Sequence, residues 1–369
     1  MKKLLLIAAC AVAIGAPAQT QQVTVVEFHS APGQFVNTLP EAAEGDSHEL
    51  ICQRATESLA NGELLHLGAY GGYMTVKFDH PVQNKPGSDL RITGNGFYAA
   101  ADPVYGSATI GGSFEPGIVH VGVGSDPATA QWYELAGSEY RTSEIHDFTI
   151  TYYKPTAETG PHAIPFSTFD EYIRWEATWT ENGAPRDSSG YHMKNSFHRQ
   201  SYWPAWEEGE TLTFSGGKLP NNAVEQSGKG NYWVLYRYAP DAYGYVDASL
   251  NTDIYSTFDI SWAVDKDGNY VDLPEIDFIR VTTGIFQYCG WLGETSTEVS
   301  GFTDLHLEPG YDENPIFIDN AVTGIIAPTV TPVVDDDIWY DLTGRPVRSP
   351  GPGVYIRNGR KIMITNSHY

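Results

Sequence analysis

Positive charge is scarce in this chain. It holds 22 Lys and Arg against 46 Asp and Glu, a net charge of -24. Phosphate backbones need a basic face, so nucleic acid is excluded as a partner. Charge-driven docking on anionic lipid is excluded for the same reason. Cysteine is scarce too: only Cys10, Cys52 and Cys289 occur. Beyond the first residues no apolar run approaches the roughly 20 residues of a membrane span. Catalytic signatures are also missing. There is no G-x-S-x-G, no H-E-x-x-H, no P-loop and no G-x-G-x-x-G opening a helix. "GNGFYAA" is glycine-rich but is not a phosphate loop.

What is present favours an all-β protein. The 369 residues are 41% hydrophobic and only 18% charged, which makes the chain globular and not disordered. Nine Trp and 23 Tyr suit pleated, half-buried surfaces, and 37 Gly and 23 Pro supply turns. Period-two alternation recurs: Met74, Val76 and Phe78; Val119, Val121 and Val123; Phe148, Ile150 and Tyr152; Phe258, Ile260, Trp262 and Val264. It predicts strands near 73–80, 118–123, 148–153, 258–264 and 276–282, after an opening strand in "VTVVEF". One helix is predicted in "GDSHELICQRATESLANG", with Asp46 and Glu49 as a capping box and Asn61-Gly62 as the stop. Residues 155–231, rich in proline and aromatics, read as long loops with short strands.

The N-terminus has the anatomy of a signal peptide. Lys2 and Lys3 precede the apolar run Leu4 to Ile14, and Ala16-Pro17-Ala18 forms a cleavage site, so 1–18 is removed on export. Ile7-Ala8-Ala9-Cys10 keeps a lipid-anchored alternative open. Export permits a Cys52–Cys289 disulfide, with two buried free thiols as the other outcome.

Few residues carry a legible chemistry. "DKDGNYVD", with Asp265, Asp267, Asn269 and Asp272, invites a calcium reading. Its twelfth position is Ile276, however, and Asp267-Gly268 is a hairpin signal, so a plain turn is favoured and no cofactor is required. His192 and His198 are six apart, which fits no metal spacing, and they read as solvated or loop histidines. The aromatic loops point best to binding. "SYWPAWEEG" carries Tyr202, Trp203 and Trp206, "YRYAPDAYGYVD" carries Tyr243 and Tyr245, and "QYCGWLGETSTE" carries Tyr288, Trp291 and Glu294. Apolar platforms with polar rims suit flat ligands. The candidate ligand-binding residues are therefore Trp203, Trp206, Tyr243, Tyr245, Trp291 and Glu294. Packing of the loops onto a sandwich is the competing role.

Three stretches, "APGQFVN", "LGAYGGYMTVKFDHPVQNKPGSDLRITGNGF" and "FEPGIVHVGVGSDPATAQWYELAGSEY", resemble the opening half of a discoidin-like, galactose-binding-type jelly roll. It is the kind found in Bacteroidota cell-surface proteins often described as cell-surface or PKD-domain proteins. "LPNNAVEQSGKGNYWVLYRYAPDAYGYVD" and the run from Phe258 to Leu307 resemble the closing half. The resemblance implies an all-β jelly-roll sandwich over 19–308, with a large aromatic-rich insertion near 155–231. It also implies a non-enzymatic surface binder of glycans or small nutrients, corrinoids included, beside an outer-membrane transporter. Structural or adhesive binding of another protein, and polysaccharide hydrolysis through two carboxylates, are the alternatives.

The end of the chain differs from the rest. A linker at 309–337 leads to a basic segment, 338–369, with Asn358-Gly359 as a hairpin signal. "YDLTGR" (340–345), "GVYI" (353–356) and "NGRKI" (358–362) are similar to C-terminal sorting modules of Bacteroidota secreted proteins. That similarity implies recognition by type IX-like export machinery and a cell-surface location. The extension "TNSHY" departs from the pattern.

Overall fold

A computed structural model describes residues 21–99, 111–156, 169–195, 198–230 and 232–311, and the strand backbones at 339–340, 346–347, 353–357 and 360–364. Residues 1–18, read above as a signal peptide with a Cys10 alternative, and nearly all of 309–337, read as a linker, lie outside these residues. The chain divides into two compact units, Met1–Ile316 and Phe317–Tyr369.

The first unit is an all-β sandwich, compatible with a jelly roll, with a single α-helix among the described residues. Its main sheet is antiparallel, in the order Val23–His29, Tyr73–Phe78, Phe278–Thr283, Gly117–Val123, Gln131–Leu135 and Ala263–Val264. Register lines up whole rows of side chains. Val25, Val76, Ile279, Val121 and Tyr133 face one another in turn, and all are buried. One step along runs the opposite row: Glu27, Thr75, Arg280, His120 and Glu134. A slip of one residue would exchange the two rows. With about 1.5–3 kcal/mol for each large apolar side chain buried, such a slip is strongly disfavoured. A three-stranded sheet of Thr257–Phe258, Leu90–Thr93 and Gly301–Asp304 adds Leu90, Ile92, Phe258 and Phe302 to the core.

The helix spans His48–Ala60 and packs on the edge strand Val23–His29. Its Thr56 hydroxyl accepts the Val25 amide at 2.9 Å, which satisfies an edge donor that would otherwise face water. Its N-cap is Ser47, whose hydroxyl accepts from Leu50, and not Asp46 as the capping box suggested. Asp46 instead accepts from the Ala43 amide and pairs with Arg54 at 2.6 Å. The stop is as expected, with Asn61 as C-cap and Gly62 at φ 70°.

Two segments differ from the pattern read in the sequence. The described part of 155–231 holds three long strands, which join Ile145–Tyr153 in a four-stranded antiparallel sheet ordered Ala184–Asn195, Phe169–Glu181, Ile145–Tyr153 and Thr211–Lys218. Its hairpin turns at Asn182 and Gly183, both left-handed at φ 51° and 75°, as a tight two-residue loop requires. This sheet lays Phe148, Ile150, Tyr152 and Ile173 against Ala31, Ala69 and Tyr70, and the Tyr152 hydroxyl donates to the Tyr70 carbonyl at 3.0 Å. The strand expected over 258–264 is broken by a 3-10 turn, Ile260–Trp262. Asp259 caps that turn by accepting from Ser261, and Asp89 accepts from Ile260, so side-chain oxygens replace ladder partners. Its alternating apolar residues remain buried, because every one still faces the core.

The second unit holds a four-stranded antiparallel sheet, ordered Pro346–Val347, Trp339–Tyr340, Gly353–Arg357 and Arg360–Ile364. Arg357 pairs with Arg360, the register that a two-residue hairpin loop produces.

Candidate functional site

The outer row of the main sheet leads to a cleft. On one side its charges are closed: Arg280 donates to Glu27 at 2.8 Å and to Thr75 at 3.0 Å. The Arg280 guanidinium also lies over the rings of Trp132, at 4.0 Å, and Tyr73, at 4.6 Å. On the other side the row ends in His120 and Glu134, cross-strand partners with Nε2 and Oε2 3.8 Å apart.

Glu144 and His146 join them from the second sheet. They flank Ile145 at the start of its strand, and alternation sends both side chains to one face. His146 Nδ1 lies 3.3 Å from Glu144 Oε1. Donor atoms of Glu134, Glu144 and His146 all fall within 4.8 Å of one another. Gly217 makes room for them, since a Cβ there would stand 1.9 Å from Glu144 Oε1.

These groups floor a cleft of about 760 Å³, walled by Trp132, Tyr140, Arg141 and the turn Asp265–Gly268. The Glu144 side chain is 0% exposed and that of His146 is 50% exposed, so the floor runs from interior to water. Burial pushes the Glu144 carboxyl up to about 8. Burial, then the Glu144 charge, raises Glu134 well above the usual carboxylate range. Burial, then Arg280, lowers His120 to about 4, so its ring is neutral. Neither oxygen of Glu144, nor Glu134 Oε1, nor His120 Nδ1 has a hydrogen-bond partner. The cations at the rim are engaged: Arg141 donates to the Gly268 carbonyl and lies over Tyr270, and Lys266 pairs with Asp267.

The sequence candidates lie elsewhere. Trp203, Trp206, Tyr243, Tyr245 and Glu294 are at most 7% exposed. Trp203 packs with Tyr202 into the core under the second sheet, Trp206 meets Phe28 and Tyr243 meets Trp262. The Tyr245 hydroxyl accepts the Glu139 amide. These rings secure loops to the sandwich instead of forming an open platform. Trp291 stands in the 3-10 turn Gly290–Leu292, and its ring lies outside the described structure.

Glu294 accepts the Gln34 amide at 2.7 Å, and burial raises it to about 7. It adjoins a second, enclosed acidic group of Glu115, Asp247 and Glu298. A third cluster, His29, His48 and Glu207, is more exposed.

The remaining sequence readings divide. Cys52 and Cys289 are free thiols and form no disulfide: Cys52 rides the helix while Cys289 is buried beside the turn Gly290–Leu292. Burial raises them to about 11 and about 12. The "DKDG" segment is a turn, with the Asp265 carboxylate accepting from the amides of Asp267 and Asn269. His192 is neither solvated nor in a loop. It lies buried in the strand Ala184–Asn195, against Tyr152, Phe286 and Tyr288.

His120, Glu134, Glu144 and His146 escaped the sequence reading. One signal was available in "SEIHDF", where Glu-x-His on a strand places both side chains on one face. Comparison with known families finds no family model that matches this chain, and comparison with curated proteins finds no match.

Proposed function

We propose that the chain is an exported, non-enzymatic binding protein of the cell surface that captures a glycan or small nutrient in the Trp132–Tyr140 cleft. The observation that carries this reading is the cleft itself: an aromatic-walled recess of ligand size with His146 and Glu134 on its floor. Ring faces take the apolar face of a sugar or a flat nutrient, and carboxylate and imidazole take its hydroxyls. The signal segment and the basic tail support export and surface display.

The neighbouring carboxylates favour polysaccharide hydrolysis as a second reading. Retaining hydrolysis needs two carboxyls about 5–5.5 Å apart with the sugar between them. Here the Glu144 side chain is wholly buried beside Glu134, which suits binding better.

Titration of the mature chain against a glycan panel and a corrinoid, with Trp132→Ala and Gly217→Ala alongside, tests the proposal. Binding weakened roughly tenfold by Trp132→Ala, the worth of one aromatic face, is the expected result. Gly217→Ala displaces Glu144 and weakens binding as well. No ligand for the wild-type chain, or affinities that neither substitution moves, would overturn it. New reducing ends released from a polysaccharide would transfer the site to hydrolysis.

A further inference from the structure

We propose that the cleft floor is a binding site for a zinc-type divalent metal ion, held by Glu134, Glu144 and His146, with His120 beside Glu134. The inference deepens the reading of the cleft as the ligand site. It rests on that reading only for what the metal does once bound.

The donor set comes first. An imidazole and two carboxylates, with a second imidazole alongside, suit a borderline ion such as Zn²⁺, whereas an all-oxygen group suits Ca²⁺ or Mg²⁺. The enclosed Glu115–Asp247–Glu298 group is of the second kind, and the cleft floor is of the first.

The spacing agrees. Zinc holds nitrogen and oxygen at about 2.0–2.2 Å, so neighbouring donors of a tetrahedral site stand roughly 3.4 Å apart. His146 and Glu144 are at 3.3 Å, and His120 and Glu134 are at 3.8 Å. The donors of Glu134, Glu144 and His146 all lie within 4.8 Å of one another, so the widest pair closes by up to about 1.4 Å, within the reach of side-chain rotation.

An independent observation is the missing partner. The Glu144 side chain is wholly buried and faces the cleft, and neither oxygen receives a hydrogen bond of good geometry; beside them stand only His146 Nδ1, at 3.3 Å, and the carboxyl of Glu134. A buried carboxylate in that state is costly unless a proton or a cation meets it. The nearby cations are spent elsewhere: Arg141 on Gly268 and two tyrosine rings, Arg280 on Glu27 and Thr75, Lys266 on Asp267.

The scaffold is rigid. His120 and Glu134 sit on paired strands, and His146 begins a strand of the second sheet. The His146 ring also leans on Tyr140, centroids 4.5 Å apart, which limits its rotation. Half-exposed His146 marks the side on which an ion enters and on which a hydroxyl of a bound ligand could complete the coordination. Glu144 closes the opposite side.

The test is calorimetric titration of the full mature chain with Zn²⁺, and Co²⁺ as a spectroscopic probe. His146→Ala, Glu144→Gln and His48→Ala are titrated in parallel. The expected result is one Zn²⁺ bound, a tetrahedral Co²⁺ absorption, and affinity at least about 100-fold weaker in His146→Ala and Glu144→Gln, since changes even behind the ligands of a metal cost 10- to 100-fold. His48→Ala should bind like the wild type. Failure of the wild type to bind, affinity unmoved by both cleft substitutions, or loss only in His48→Ala would overturn it. Glu144→Gln keeps the shape of the floor, so misfolding cannot imitate its effect if His146→Ala behaves alike. Ligand titration in chelator separates the two claims. Ligand binding without metal uptake removes the metal and keeps the cleft. Metal uptake with no ligand for the cleft does the reverse.

Discussion

At the residue scale the protein is distinguished by acids placed where acids are expensive. Burial, then the Asp247 charge, pushes Glu115 up to about 8. Burial pushes Asp247 up to about 6 and sends Glu298 well above its ordinary value. Asp247 also holds φ 58°, a conformation most side chains avoid, and does so because its carboxylate accepts the amides of Asn95 and Glu298. Such groups keep protons in the folded state that they lose when unfolded. Their stabilisation is therefore complete below the ordinary values of 3.8 and 4.5 and is lost as pH rises toward about 8.

His306 adds the same sign. Burial opposes its charge, but hydrogen bonds to Asp304 and Asp89 outweigh it and raise the ring to about 9. Its contribution is intact below 6.5 and fades as pH climbs through about 9. Buried His66, His120 and His192, lowered to about 3, 4 and 4, act in the opposite sense up to pH 6.5, so thermal melting across pH 6.5–9 should show Tm falling with rising pH in metal-free buffer. Glu298→Gln should flatten that slope, because an amide can donate to its carboxylate neighbours at any pH. A Tm that rises from pH 6.5 to 8 would contradict this account.

At the element scale, side-chain oxygens decide where elements begin and end. The helix starts at Ser47, the turn Ile260–Trp262 is set by Asp259, and Leu305–Leu307 starts on Asp304. Ser47→Ala should cost about 1 kcal/mol in denaturant unfolding, the usual worth of an N-cap. A cost near zero, with Asp46→Ala the more damaging change, would return the cap to Asp46. The same reasoning explains the long hairpin. Asn182-Gly183 is as clear a two-residue turn signal as Asn358-Gly359, but prolines and aromatics nearby obscured it.

At the scale of the whole molecule, charge separates the two units. The acidic balance belongs to the sandwich, while the tail strands Gly353–Arg357 and Arg360–Ile364 carry Arg357, Arg360 and Lys361. Because the units are compact separately, a chain ending at Ile316 should melt and bind ligand as the full chain does. Expressed in a host with type IX-like export, it should remain unseen by surface protease digestion while the full chain is cleaved. Surface display of the shortened chain would reduce the tail to a structural appendage.

Local pattern alone determined much of this protein. Alternation at Met74, Val76 and Phe78, at Val119 and Val121, and at Phe148, Ile150 and Tyr152 identified the core strands, because a side-chain period of two is imposed by the backbone. The helix and its stop were legible for the same local reason. Only the tertiary structure decided the site. His120 and Glu134 meet through sheet register, and Glu144 reaches them because Gly217, 73 positions along, leaves a gap for its carboxylate. Aromatics that looked like a platform became core, since burying a large ring in a loop–sheet junction gains more than exposing it. Pairing between distant strands chooses which polar residues converge, and no local spacing records that choice.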